Sequence, residues 1–285
     1  MTDSIEAARR SYVEELRFRT QMSYPPLLEA FETVPRERFL GPGPWRYRAF
    51  DIWTTEDDDP RHVYHDALFV LDEAKKINNG QPSLWAYHLD RLRIRTGDRV
   101  LHLGCGTGYY TAILAELVGA DGAVIAIDIE EALVERARAA LVPWPQVTVL
   151  HADGAVGPFE PADAIIASAG ATHPLPAWIA ALKPGGKLLF PLTSSKGPGT
   201  MAYVTRSGES ILEARLVSSA GFIDFQGARD PDVNTQLAEA LKRDQGKSVR
   251  SMRCDTHEKD ETCWLHGDSW CFSTRDPVQE ESAAL

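Results

Sequence analysis

The sequence lacks any apolar run of the length that a membrane-spanning helix needs. Its 285 residues are 44% hydrophobic and 25% charged, which is ordinary for a soluble globular protein, and no stretch approaches about 18 uninterrupted apolar residues. The opening residues, MTDSIEAARRSYVEE, have no apolar centre of the kind that a signal peptide contains. These absences predict a cytoplasmic protein that does not act at a membrane.

Cysteine and excess positive charge are also scarce. The chain has four cysteines, Cys105 and three near the C-terminus, which is too few for a dense disulfide framework and agrees with a reducing compartment. The formal net charge of −11 argues against a large phosphate-binding face, so nucleic acid is not expected as a partner. The sequence does not indicate an oligomeric state.

Apolar runs and helical patterns alternate from Arg99 onward. The strand candidates are RVLHLG, AVIAID, VTVLH, ADAIIAS and GKLLFPL, followed later by MAYVTR and ILEARLVS. The helix candidates are YYTAILAELVG, EEALVERARAAL, LPAWIAALK and residues 232–243. Runs that are apolar at nearly every position, separated by amphipathic helices, are typical of a parallel sheet covered on both faces. Such a sheet binds its ligand at the carboxyl ends of its strands.

The N-terminal residues, from Ser4 to about Arg48, have a helical pattern. Apolar side chains such as Tyr12 and Leu16 recur every three or four residues. A second helix is predicted over Pro26–Glu32, with proline in its first turn, where the missing N–H costs nothing. A further helix is predicted to begin at Pro82.

A glycine-rich turn, VLHLGCGTGYYTA, joins the first strand candidate of the alternating region to a helix. Glycine lets the backbone approach a ligand closely, and the helix N-terminus offers free N–H groups. The glycines are Gly104, Gly106 and Gly108, whereas a dinucleotide fingerprint has its third glycine at the position of Tyr109. The spacing of the glycines therefore argues against NAD as the ligand of this loop.

Acidic residues follow the next two strand candidates. Asp128 ends one, where a carboxylate can accept hydrogen bonds from both ribose hydroxyls of an adenosine. Asp153 and Gly154 follow the other and suit an adenine edge. Together with the glycine loop, they predict S-adenosylmethionine (SAM) as the ligand. The alternative is that these acids only cap helices.

Four segments carry a family likeness. They are YVEELRFRTQMSYPPLLEAFETVPRERFLGP, VLHLGCGTGYYTAILAELVG, VIAIDIEEALVERA and HADGAVGPFEPADAIIASAGATHPLPAWIAALKPGGKLLFPL. Over about two-thirds of its length the sequence resembles the protein-L-isoaspartate (D-aspartate) O-methyltransferases. PRERF and LKPGGKLLFPL are more specific to that family than the glycine loop, which many methyltransferases share.

The resemblance implies an α/β fold with a seven-stranded, Rossmann-like methyltransferase sheet. It implies N-terminal helices and a substrate-side segment in residues 1–82, a SAM-binding domain in residues 83–220 and a C-terminal α+β extension in residues 221–285. It also implies methyl transfer to a carboxylate oxygen of an aspartyl-type residue in a peptide or protein. The implied cofactor-binding residues are His102, Gly104, Gly106, Gly108, Asp128, Ile129, Asp153 and Gly154.

The sequence departs from the family at its presumed catalytic segment. Family members carry a Thr-Ile-Ser type segment before the proline-started helix, and its serine lies at the active centre; here Asn78, Asn79 and Gly80 occupy that place. We expect that Gly80 leaves room beside the transferred methyl group, and that the amides of Asn78, Asn79 and Gln81 orient a carboxylate. A carboxylate is already ionised, so alignment can suffice for catalysis. The alternative is a turn without substrate contact.

Several histidines are candidates for a general base if the acceptor is a hydroxyl group. His102 replaces an acidic residue usual in the family, so contacts to the methionine amino group of the cofactor are expected to differ. Imidazole titrates near neutrality, although each histidine taken alone is more often structural. His65 and His173 are the first to test among His62, His65, His88 and His173.

The tail CDTHEKDETCWLHGDSWCFS places cysteines and histidines at spacings found in zinc sites: Cys254 with His257, and Cys263 with His266, with Cys271 beyond. WLHGDSWC is nevertheless predicted to form a hairpin with Gly267-Asp268 as a two-residue turn. That register pairs Trp264 with Cys271 and puts Cys263 on the opposite face. Two cysteines on opposite faces cannot share one metal ion, so no metal is expected.

The sequence therefore predicts a SAM-dependent carboxyl O-methyltransferase acting on an aspartyl or isoaspartyl residue. Loss of the serine favours one dedicated modified peptide over generic damaged protein, with the extension contributing contacts to that substrate. A small-molecule O- or N-methyltransferase and a non-catalytic SAM-binding module remain alternatives.

Overall fold

The computed structural model of the protein describes residues 4–207 and 211–277. Its α-helices are α1 (Ile5–Thr20), α2 (Pro25–Thr33), α3 (Pro82–Leu92), α4 (Tyr109–Val118), α5 (Glu131–Ala140), α6 (Pro176–Ala180) and α7 (Pro231–Asp244). The strands are β1 (Arg46–Arg48), β2 (Ile52–Thr54), β3 (Leu68–Asp72), β4 (Ile77–Asn78), β5 (Arg99–Leu103), β6 (Ala123–Asp128), β7 (Val147–His151), β8 (Ala162–Ala167), β9 (Leu182–Leu192), β10 (Gly199–Thr205), β11 (Ile211–Ala220), β12 (Ser251–Arg253), β13 (Cys263–His266) and β14 (Cys271–Ser273).

The chain divides into two compact units. The first comprises residues 1–98 and 105–152, and the second comprises residues 99–104 and 153–285. All seven strand candidates of the alternating region are confirmed as β5 to β11. The division into residues 1–82, 83–220 and 221–285 stays a prediction, and residues 278–285 of that extension lie outside the described part of the chain.

The first unit contains the N-terminal helices and a small sheet. The side chain of Ser4 caps α1 by accepting from the N–H of Ala7, and proline begins α2 and α3. Fully buried Leu16, Phe31 and Trp85 form its core. The helical pattern predicted to about residue 48 ends earlier, because Arg46–Arg48 pairs with β2 and β3 in a sheet of order β2-β1-β3-β4. In the same unit, β6 and β7 form a parallel pair, with α4 and α5 adjoining them in sequence.

In the second unit the strands lie in the order β13-β14-β12-β11-β10-β9-β8-β5. The pairs β5–β8 and β8–β9 are parallel, and the pairs from β9 outward to β13 are antiparallel. The helix predicted through Lys183 ends at Ala180, because β9 already begins at Leu182. The three strands of the extension thus continue a sheet whose parallel part was predicted from its apolar runs.

The hairpin of the extension has a different register from the predicted one. His266, rather than Trp264, pairs with Cys271, and an irregularity between Cys263 and Leu265 leaves Cys263 opposite Ser273. The turn is also shifted by one residue, since the N–H of Gly267 donates to the carbonyl of Trp270 at 2.9 Å and so leaves Asp268-Ser269, rather than Gly267-Asp268, between the paired strands. Because opposed residues share a face, Cys263 lies on the face of His266 and Cys271, and the predicted separation of the two cysteines is wrong.

Among the helices of the described residues, none combines the length and the apolar character needed to span a bilayer.

Candidate active site

The glycine loop of the first unit is held by a carboxylate. Asp128, at the end of β6, accepts from the N–H of Gly106 at 2.7 Å through Oδ2 and from the N–H of Glu130 at 3.0 Å through Oδ1. Gly106 has a φ of +59°, and the position where its Cβ would lie has nothing within 4 Å. Gly108 has a φ of +95°, and a Cβ there would lie 2.7 Å from Leu141 Cδ1. Open space therefore adjoins Gly106, whereas Gly108 is required for packing.

The chemistry of Asp128 suits a nucleoside. Asp128 is only 7% exposed, and burial raises the pKa of its carboxyl above the ordinary value even though the backbone N–H groups of Glu130, Gly106 and Ile129 oppose that shift. A carboxylate has about four acceptor positions, so it can accept ribose hydroxyls in addition to the hydrogen-bonded N–H groups of Gly106 and Glu130. Ile129, the next residue, has a partly exposed side chain. This donor and acceptor set fits the adenosine part of SAM.

The strand ends of the second unit contain the other predicted cofactor residues. His102, in β5, shares a hydrogen bond of 2.9 Å between its Nε2 and Ser168 Oγ, and burial lowers its pKa to about 4. His102 is therefore neutral at physiological pH. Gly104 has a φ of +73°, and a Cβ built on it would lie 3.7 Å from Ser168.

Asp153 and Gly154, also in the second unit, form a tight turn after β7. Asp153 Oδ1 accepts from the N–H of Ala155 at 2.8 Å. The carbonyl of Gly154 accepts from Trp178 Nε1 at 2.9 Å, and a Cβ on Gly154 would lie 3.0 Å from Phe225. Packing thus explains the glycine, while Asp153 is only partly buried. The adenine role of this pair stays a prediction.

The segment predicted to be catalytic lies in the first unit between β4 and α3. Asn78 is exposed, and its Oδ1 accepts from the N–H of Gly80 at 2.9 Å. Asn79 is buried, and its Oδ1 accepts from the N–H of Phe69 at 2.8 Å. Gln81 Nε2 donates to the carbonyl of Asp66 at 2.9 Å. The amide nitrogen of Gln81 therefore already donates to the backbone, whereas the amide nitrogen of Asn78 is on an exposed side chain.

The space expected beside Gly80 is filled. Gly80 has a φ of +75°, and a Cβ there would lie 2.6 Å from Trp85 Nε1 and 3.0 Å from Tyr110 Cε2. The rings of Trp85 and Tyr110 lie 5.2 Å apart, and the Tyr110 hydroxyl donates to the carbonyl of Gly80 at 3.1 Å. The expectation of extra room was wrong, because an indole from the first turn of α3 occupies the position of a side chain.

Arg36, within the PRERF segment, was not singled out from the sequence. Its side chain is completely buried, and its guanidinium donates to the carbonyls of Val63, His65 and Ala67 at 2.6–2.7 Å. Buried arginine needs partners for its charge, and here those partners are the backbone of the loop that leads to β3. The position of Arg36 in a family-specific motif was the available signal.

The four candidate histidines have different environments. His62 Nε2 lies 2.9 Å from Asp57 Oδ1, and His65 is exposed. Burial lowers the pKa of His88 to about 4. In the second unit, His173 Nδ1 lies 2.9 Å from Thr172 Oγ1, and its ring stacks on Trp270 at 5.8 Å.

The comparison with known families agrees with these features. Residues 7–229 match the family model described as protein-L-isoaspartate(D-aspartate) O-methyltransferase. The chain belongs to this family. Its residues after 229, including β12, β13 and β14, lie beyond the matched region.

Named relatives of this O-methyltransferase family cover most of the chain. A protein-L-isoaspartate O-methyltransferase of Ignicoccus hospitalis is 30% identical over 76% of this chain and 96% of the relative. One of Methanothermobacter thermautotrophicus is 27% identical over 77% of this chain and 95% of the relative.

Solved structures share the fold. A protein-L-isoaspartate O-methyltransferase has a TM-score of 0.65 at 23% identity over 82% of this chain and 69% of its own. A putative family enzyme of Plasmodium falciparum, in complex with S-adenosyl-L-homocysteine, has a TM-score of 0.63 at 16% identity, covering 77% of this chain and 98% of its own. The predicted α/β methyltransferase fold class is confirmed, and the seven-strand count of its sheet stays a prediction.

Proposed function

We propose that the protein is a SAM-dependent carboxyl methyltransferase that acts on an isoaspartyl or aspartyl side chain of one dedicated peptide or protein. Family membership supports the reaction type. The observation that carries the proposal is the hydrogen bond from Tyr110 to Gly80 at 3.1 Å. Tyr110 is the second residue of α4, which directly follows the glycine loop, so this bond joins the proposed cofactor loop to the proposed substrate segment within one unit.

The residues of the first unit have distinct roles in this proposal. Asp128 and the loop at Gly106 would hold the adenosine of SAM, which when bound supplies a methyl group on a sulfonium whose sulfur leaves as a neutral thioether. Asn78 donates an N–H from its amide nitrogen to the substrate carboxylate, since its Oδ1 is engaged by Gly80. Free carboxyl groups have a pKa near 4, so no base is required, and orientation supplies most of the catalysis.

The preference for a dedicated substrate rests on Gly80 and Trp85. The family's hydroxyl group is missing at Gly80, and Trp85 closes the position from which a side chain would act. A peptide that brings its own constraint on the carboxylate does not need that hydroxyl. The roles of His102, Gly104, Asp153 and Gly154 in cofactor binding, and a cytoplasmic location, stay predictions.

The test is incubation with methyl-labelled SAM and either a linear isoaspartyl peptide or an extract of the source cells. We expect label on a peptide or protein of the extract, released as methanol by mild base, and little label on the linear peptide. Label on a small molecule, or binding of SAM with no turnover on either sample, contradicts carboxyl methylation. Efficient methylation of the linear peptide contradicts the dedicated substrate alone.

A pair of variants examines the role of Asn78. Asn78→Asp keeps an oxygen that can accept from the N–H of Gly80 but replaces the donor by a negative charge, so it is expected to lower methylation more than Asn78→Ala does. SAM affinity, measured by calorimetry, is expected to stay unchanged in both variants. Equal activity in all three proteins removes Asn78 from the site.

A further inference from the structure

Four side chains of the extension, all of types that can bind metal ions, lie close together at its terminal hairpin. They are His257, Cys263, His266 and Cys271, whose candidate ligand atoms all lie within 4.8 Å of one another. Cys263 and His266 are in β13, Cys271 begins β14, and His257 lies in the segment between β12 and β13. The cysteines are not joined by a disulfide.

The spacing of these atoms suits a tetrahedral centre. Zinc bonds of about 2.3 Å to sulfur and about 2.0 Å to nitrogen place sulfur and nitrogen ligands about 3.6 Å apart in a tetrahedron. The distance from Cys263 Sγ to His257 Nε2 is 3.6 Å. The remaining atoms need to move by only about 1 Å to reach such distances from their separations within 4.8 Å.

The surrounding hydrogen bonds prepare the ligands. His257 Nδ1 lies 2.9 Å from the carbonyl oxygen of Asp255, so Nδ1 carries the proton that it donates and Nε2 keeps the lone pair that faces Cys263. Such a bond to a carbonyl is the usual outer partner of a metal-binding histidine. The N–H of Asp260 donates to Cys263 Sγ at 3.4 Å, and Asp260 Oδ1 lies 3.6 Å from the same sulfur.

His266 gives an independent indication. Its Nδ1 is buried and has no hydrogen-bond partner within residues 4–207 and 211–277. A buried ring nitrogen without a partner is costly, and coordination to a cation is an interaction that satisfies it. The ring of His266 lies 4.8 Å from that of His257, edge to face, so that the two rings converge on the same place as the sulfur atoms.

We propose that these four residues bind one Zn²⁺ ion in a structural site of two cysteines and two histidines. Mixed sulfur and nitrogen ligands in a tetrahedron favour zinc over magnesium or calcium. Four protein ligands complete the coordination of zinc, which is the arrangement of structural sites and leaves no position for a substrate. The ion joins the segment between β12 and β13 to the hairpin and so fixes the outermost strand of the second unit.

The site also bears on the position of Trp270. Trp270 lies in the turn between the two zinc-bearing strands, and its indole stacks on His173. His173 follows β8 at the carboxyl end of that strand, where α/β sheets bind their ligands. By fixing the hairpin, the ion fixes the aromatic surface that the extension presents to this end of β8.

The test is metal analysis of the full chain purified under reducing conditions and loaded with zinc. We expect about one zinc per chain in the unmodified protein and less than about 0.2 in Cys263→Ser and Cys271→Ser. Cys254→Ser is the matched control, because Cys254 is in the same extension but not one of the four residues, and it is expected to keep about one zinc per chain.

Cobalt replacement keeps the test valid if the cysteine variants fail to fold. The unmodified protein loaded with Co²⁺ is expected to show the visible absorption and the thiolate charge-transfer bands of a tetrahedral site. Less than about 0.2 zinc per chain after loading, together with the absence of those bands, overturns the proposal. A disulfide between Cys263 and Cys271 in protein kept reduced, seen as a loss of two hydrogens by mass spectrometry, overturns it as well.

Discussion

The indole of Trp85 lies where a side chain on Gly80 would have to be. Only 2.6 Å separates Trp85 Nε1 from the Cβ position of Gly80, less than any ordinary contact between these atoms. The active-site serine of the family therefore cannot be restored here by one substitution, because the ring that replaced it belongs to a buried tryptophan of α3.

Gly80→Ser is expected to destabilise the protein and not to raise its activity. The positive φ alone costs about 1 kcal/mol for a residue with a side chain, and displacement of Trp85 adds about 1–3 kcal/mol. Gly97→Ser is the control, since Gly97 has a φ of +86° and nothing within 4 Å of its Cβ position. Urea unfolding of both variants separates backbone strain from the clash. Equal losses of stability in the two variants contradict the contact with Trp85.

Asp128→Asn is expected to weaken SAM binding by about 1.5–3 kcal/mol, the scale of a charge-assisted hydrogen bond. The affinity of the unmodified protein is also expected to fall on acidification at a pH above the ordinary carboxyl pKa of 3.8, because the pKa of Asp128 is raised and only the ionised form accepts two hydroxyls. Calorimetry across pH measures both effects. An unchanged affinity in Asp128→Asn removes this residue from the cofactor site.

The stability of the protein is expected to fall between about pH 6.5 and pH 4. Burial lowers the pKa values of His88 and His102 to about 4 from 6.5. The unfolded chain therefore takes up a proton first as pH falls, and each histidine removes about 2 kcal/mol of stability at pH 5.

Unfolding by urea at pH 7 and pH 5 measures this loss. His102→Gln is expected to reduce the pH dependence by about half, because glutamine does not titrate, and His151→Gln, at an exposed residue, is expected to leave it unchanged. A protein equally stable at both pH values contradicts the buried, neutral state of the two histidines.

Arg36→Lys is expected to cost about 2–4 kcal/mol, because lysine cannot reach three carbonyls with a planar fork and leaves buried acceptors without partners. Arg38→Lys, in the same PRERF motif but at an exposed position, is the matched control and should change stability by less than about 0.5 kcal/mol. Thermal unfolding compares them. Similar midpoints for Arg36→Lys and the unmodified protein show that the loop carbonyls do not depend on Arg36.

The sequence predicted correctly those structural features that depend on residues close to one another in the chain. Apolar runs such as AVIAID correspond to β6 residue for residue, because a strand buried on both faces needs apolar side chains throughout. The glycine loop and Asp128 were found because their spacing follows from the strand-turn-helix geometry. Arg36 was missed, because its partners are about thirty residues away and no periodicity reports such contacts.

The errors came from single positions with large geometric effects. One irregularity between Cys263 and Leu265 put Cys263 on the other face of the hairpin from the one predicted, since the side-chain period of a strand is two. At Gly80 the absence of a side chain was interpreted as empty space, but the neighbour that fills it is set by the direction of α3. Both outcomes depend on tertiary packing, which the spacing of residues along the sequence does not reveal.

With SAM at the glycine loop and a peptide at residues 78–81, as proposed above, the bond from Tyr110 to Gly80 is expected to make the two ligands bind cooperatively. A ligand that fixes the glycine loop also restrains the first turn of α4 and, through one hydroxyl, the segment at residues 78–81. Coupling between two sites is reciprocal in free energy. On this proposal, SAM bound first is expected to lower the entropic cost of ordering the peptide contacts, and the peptide is expected to raise the affinity for SAM by the same factor. Tyr110→Phe is expected to reduce that factor.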